Sequence, residues 1–123
     1  MKKLKVTLLS ILVIFLTLIS LKQLNPVLKL DGFSGIIYRV LFNTDDSKYS
    51  KGYSHSKFLK IKNGMSVRQV YDILGEPIRA DKDDLEYYCL WYSMSPNSTH
   101  YRRRNIIFEK NRVIKIHSEY HID

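Results

Sequence analysis

Apolar and polar positions divide the chain into three stretches. Residues 6–21 form an uncharged, mostly apolar run, closed by Lys5 and Lys22 and preceded by Lys2 and Lys3. As a helix these 16 residues span about 24 Å, at ~1.5 Å per residue. A bilayer core is roughly 30 Å thick, so the flanking lysines must snorkel outward for the run to cross it. A cleaved signal peptide shares the basic start and apolar centre but needs small residues at alternating positions before the cut. Ser20 is preceded two positions earlier by Leu18, and no cysteine nearby offers a lipidation site, so residues 1–24 are read as an uncleaved signal-anchor transmembrane helix. The lysines before it place the N-terminus in the cytoplasm and the rest of the chain in the periplasm or another extracytoplasmic space.

Residues 25–57 are expected to be a juxtamembrane segment and linker. Pro26, Gly32 and Gly35 interrupt it, whereas Phe33, Ile36, Ile37, Val40 and Leu41 recur at helical spacing with Arg39 off that face. Such a helix lies in the membrane interface or packs on the chain's own domain. Residues 43–57, rich in Ser, Lys, Tyr, Asp and Gly, show no apolar period and read as linker.

Residues 58–123 carry the patterns of a folded unit. Ser66 and Gln69 form a capping box, and Val67, Val70, Ile73 and Leu74 line one helical stripe. Gly75 suits the helix end and Pro77 the stop beyond it. Strands are expected over 86–93, 105–108 and 112–117, with 94–104 a polar excursion. A three-residue loop between the last two strands would put Ile106, Phe108, Ile114 and Ile116 on one face, whereas a two-residue turn would oppose Ile106 to Lys115. The three-residue loop is therefore expected, with Asn111 left-handed.

The order Lys60-Ile61-Lys62-Asn63-Gly64-Met65-Ser66, Val70, Leu74-Gly75-Glu76-Pro77, then Trp91-Tyr92, then Ile107-Phe108 and Asn111-Arg112-Val113 resembles the BamE (SmpA/OmlA) family. Those small envelope lipoproteins are accessory parts of the outer-membrane β-barrel assembly machinery. The resemblance implies an α+β fold, short helices on a three-stranded antiparallel sheet. This chain has an apparent helical anchor where the family has a lipobox cysteine.

Charge narrows the function classes. The net +8 is uneven: residues 1–57 hold nine Lys/Arg against three Asp, residues 58–123 eleven against nine Asp/Glu. A nucleic-acid binder concentrates its excess on the folded domain; here it lies beside the anchor, where anionic headgroups attract it. Membrane lipids along 6–21 and a protein partner in the envelope are the expected partners, and nucleic acid is not. Arg102, Arg103 and Arg104, read as turned outward, and the aromatic pair Trp91 and Tyr92 are the candidate contact residues. No metal, cofactor or catalytic set is expected. His117 and His121 are four apart but on a strand, His55 and His100 stand elsewhere, Cys89 reads as a core thiol, and Asp81, Asp83, Asp84 and Glu86 as a solvated turn. Asn97-Ser98-Thr99 matches a glycosylation sequon by chance. The alternative classes are a small exported enzyme or toxin, such as a nuclease using His100, Arg102 and His117, and an exported enzyme inhibitor.

Overall fold

The computed structural model describes residues 1–42, 45–82, 87–97 and 100–122. Helix α1, Lys2–Leu41, continues well past the apolar run. It is long and apolar enough to cross a membrane, and none of residues 1–25 is buried. Pro26 lies within it, and Gly32 breaks it with φ 71° and ψ 176°, a conformation essentially reserved for glycine. The limb beyond, residues 33–41, turns onto the domain. Leu30 and Asp31 just before the break and Gly35 just after it are buried, so the segment expected to be juxtamembrane and linker is partly inside the fold.

The stretch expected to be linker also carries structure. Strand β1 (Lys48–Tyr49) pairs with β4 (Ser93–Met94), and the one-turn helix α2 (His55–Phe58) is capped by Ser54 and buries Phe58. Helix α3, Val67–Leu74, has both bonds of its capping box: Gln69 N–H donates to Ser66 Oγ (3.2 Å) and Ser66 N–H to Gln69 Oε1 (2.8 Å). Gly75 ends it with φ 75°.

A four-stranded antiparallel sheet follows, in the order β2 (Arg79–Lys82), β3 (Tyr87–Trp91), β5 (Tyr101–Glu109), β6 (Arg112–His121). The α+β class stands, but the sheet has one strand more than expected. Arg79 to Lys82, exposed, and charged except at Ala80, gave no apolar alternation; they are a strand because their backbone pairs with β3, and charge suits an edge. Asp81 thus stands on a strand, while Asp83, Asp84 and Glu86 lie outside the described residues. β5 also starts at Tyr101, so the arginines stand inside a strand and not in an excursion before it.

The β5–β6 hairpin corrects the expected loop. Glu109 pairs with Arg112 across a two-residue turn at Lys110 and Asn111, both with positive φ (47° and 63°), the type I′ pattern that matches strand twist. A β-bulge then makes one extra residue, Ile114, so that Phe108 faces Val113 and Ile106 still faces Ile116. Val113 enters the core and Ile114 faces out at 43% exposure.

One sheet face holds the core: Leu90 and Tyr92, Ile106 and Phe108, and Val113, against Phe58, Val70, Leu74 and Leu30. Two segments of the family-like pattern meet beside it. Gly64 N–H donates to Val113 O and Val113 N–H to Met65 O, each at 2.8 Å. Tyr92 reaches back to bond the Gly75 carbonyl at 3.0 Å.

Candidate functional site

Strand alternation puts Arg102 and Arg104 on the core side and Arg103 on the opposite face. The expectation that all three arginines point outward is therefore corrected. Arg104 is fully buried and Arg102 nearly so, because both side chains meet the carboxylate that the broken end of α1 delivers. Arg104 Nη2 donates to Asp31 Oδ1 at 2.5 Å; Arg102 Nε sits 3.6 Å from Asp31 Oδ2 and 3.2 Å from Asp45 Oδ2, without hydrogen-bond alignment to either. Two cations in a dry interior are tolerable only with such counter-charges.

The cluster continues through neutral groups. Arg104 Nε donates to the Tyr53 hydroxyl at 3.0 Å, whose own proton is left to donate to His55 Nδ1 at 2.9 Å. Tyr53 stacks on Tyr49, ring centroids 4.6 Å apart. Burial pushes both phenols up, and burial, followed by the charges of Arg104 and Arg102, lowers His55. Ser118 Oγ donates to the Leu30 carbonyl at 2.5 Å, giving it a partner near the helix break. At Gly35 an added Cβ would stand 2.6 Å from Asp31 Cβ and 3.3 Å from Tyr120 Cβ, so glycine lets this limb fold back against Asp31 and lie close to β6. These contacts make a structural joint between α1 and the sheet.

The opposite sheet face is exposed or half-buried throughout except at Asn105. At one end it forms an open groove of about 470 Å³ whose walls include Ile78, Arg79, Trp91, Met94, Tyr101 and His121. The Arg79 guanidinium stands 4.7 Å from the Trp91 ring centroid, and Asp81 Oδ2 accepts from both Arg79 Nη2 (2.7 Å) and Trp91 Nε1 (2.8 Å). Arg103 completes the patch, with Nη2 2.8 Å from His121 Nδ1 and Nη1 3.2 Å from Glu119. Aromatic rings and guanidinium groups held in place by neighbours are the composition of interface anchors.

Of the candidate contact residues, Trp91 and Arg103 therefore share the open face, while Arg102, Arg104 and Tyr92 point into the fold. Cys89, read as a core thiol, stands on the open face, half-buried, with Asn105 Nδ2 3.6 Å from its sulfur; burial raises its pKa. Arg102 and His117 lie on opposite faces of the sheet and do not converge on one reaction centre. Among the described residues no three His, Cys, Asp or Glu side chains group together as a metal site would need. Ser98 and Thr99 of the sequon lie outside the described residues. Asp31 and the Arg79–Asp81–Trp91 cluster were missed from sequence; an acidic residue set directly before Gly32, beyond an apolar run, was the available signal for the former. No family model and no curated protein matches this chain.

Proposed function

We propose that this protein is a membrane-anchored, non-catalytic interaction module: α1 crosses the bilayer with its N-terminus in the cytoplasm, and the domain presents the Trp91 face to an envelope protein. The observation that carries this is the contrast along α1. Its apolar part touches nothing in the protein, yet the same helix runs on to residues locked into the core at Leu30 and Asp31. A bilayer would supply the cover that the chain does not give this part, and the joint ties the helix to the sheet beyond it. The BamE-like motifs extend the reading to an accessory role in assembling envelope or outer-membrane proteins.

Site-specific photocrosslinking in intact cells tests it. A photoreactive residue at Trp91 or Arg103 should give a discrete protein adduct in the carbonate-resistant membrane fraction, and one at Arg68, exposed on α3 across the core from that face, should not. An adduct with an assembly component would identify the accessory role. Release of the chain by carbonate would remove the anchor, and equal labelling from Trp91 and Arg68 would remove the partner surface.

A further inference from the structure

The stretch from residue 47 to residue 71 carries six Lys/Arg and no Asp or Glu. All six (Lys48, Lys51, Lys57, Lys60, Lys62 and Arg68) are exposed, and among the described residues none of them is in an ion pair. Protein surfaces ordinarily intersperse the two signs of charge. The middle of this stretch lies against α1. Lys29 and Leu30 share one small cleft with Phe58, Leu59 and Ile61, where α2 and the turn after it meet the long helix. Phe58 and Ile61 are buried in the core, whereas Leu59 is 37% exposed between the exposed Lys57 and Lys60.

Position along α1 sets how far this face stands from a bilayer. The helix keeps helical backbone up to Gly32. A hydrocarbon core of roughly 30 Å takes about 20 residues at ~1.5 Å each, so a span starting at Val6 leaves it near Asn25. The headgroup layer adds about 5–7 Å on each side, or roughly three to five further residues. Lys29 and Leu30 thus stand in the outer part of that layer, and the α2 segment packed on them reaches the same level.

We propose that the α2 face, formed by Lys57, Leu59 and Lys60 with Lys29 beside them, docks on anionic phospholipid headgroups of the leaflet from which α1 emerges. The assignment rests on the reading of α1 as a membrane span. Charge complementarity carries it: an excess of one sign, unrelieved by any acid from residue 47 to residue 71, meets the negative potential of an anionic leaflet at the level to which the span delivers it. Each basic residue near such a surface favours the docked state roughly fivefold, and salt screens the effect. Leu59 adds an apolar tip that enters the interface between the ammonium groups. Phe58 packs on the core side of the sheet and Trp91 stands on the other, so docking through α2 keeps the Trp91 face clear of lipid.

The experiment uses the full chain in vesicles, with Cys89, its single cysteine, replaced by serine. Nitroxides are attached at Ser56→Cys on α2, at Ala80→Cys on β2, the sheet edge opposite β6, and at Leu12→Cys in the span. A trace lipid with a neutral gadolinium chelate on its headgroup reports closeness to the bilayer surface as faster spin relaxation. In vesicles of mixed phosphatidylglycerol and phosphatidylcholine, the Ser56 label should relax several-fold faster than the Ala80 label. That difference should collapse in phosphatidylcholine alone, at high salt, and when Lys57→Glu and Lys60→Glu are combined, while oxygen contact at the Leu12 label stays the same. The lipid and salt arms keep both lysines, so a folding defect in the double variant cannot mimic the result. If Ser56 relaxes no faster than Ala80 in the mixed vesicles, the face stands off the bilayer and the proposal falls while the span stands. If Ser56 relaxes faster but to the same extent in both lipids, at high salt or after the charge swap, the fold alone sets its position and anionic docking is overturned. If an aqueous nickel chelate, rather than oxygen, reaches the Leu12 label, the span itself is overturned.

Discussion

Asp31 and Arg104 stand 73 residues apart in the chain and 2.5 Å apart in the fold, both buried. The carboxylate comes from the last turn before α1 breaks, the guanidinium from the core side of β5. Their contact ties an element that is otherwise unburied along most of its length to the centre of the sheet. Ser118 and Gly35 bring backbone and side chains together at the same place, so the joint is both charged and closely packed.

Asp31→Ala should leave the Arg104 charge buried without its closest counter-ion. Breaking one side of a buried pair typically costs about 3–5 kcal/mol. Denaturant unfolding of the full chain in detergent should show a loss of that order. The double variant Asp31→Leu with Arg104→Met should recover much of it, since the two charges of the pair leave together and Asp45 remains as the counter-charge of Arg102. A double variant as unstable as the single one would show that the pair itself, and not the orphaned charge, holds the joint.

The bulge makes a prediction about neighbouring residues. Val113→Ala should cost more stability than Ile114→Ala, although valine is the smaller side chain, because Val113 is 2% exposed and Ile114 43%. Phe108→Ala should cost roughly 3–5 kcal/mol and Ile107→Ala clearly less. A larger loss at Ile114 than at Val113 would indicate the three-residue loop and the opposite facing.

His55 and His117 are both lowered, chiefly by burial. The unfolded chain therefore binds protons that the folded one refuses, so stability should fall as pH drops below about 6.5 and stop falling once the folded-state values are passed. Protonating His55 also removes the acceptor for the Tyr53 hydroxyl. Unfolding midpoints measured across that window should show this slope, and His55→Gln should flatten it in part. A midpoint that rises on acidification would contradict the burial of both rings.

Much of this architecture was legible one segment at a time. The apolar run of α1, the capping box at Ser66 and Gln69, Gly75 at the helix end and the aromatic strand before Tyr92 are patterns of near neighbours. A helix cap or a period of two is satisfied within a few residues, so local order reveals it. The α+β class follows from the same signals. Arg102 and Arg104 show the opposite case. A run of three arginines looks solvated until a carboxylate 73 residues away is brought to it, and a buried ion pair depends on a partner that the local pattern does not name. The same holds for β2, a strand by virtue of backbone pairing with β3, and for Ile114, whose outward facing depends on a bulge that lets both Val113 and Ile116 meet β5. Local periodicity records which side chains prefer to avoid water. Where two distant segments meet, the desolvation of charge and the closure of backbone hydrogen bonds across the whole sheet decide between alternatives that the nearest residues leave equal.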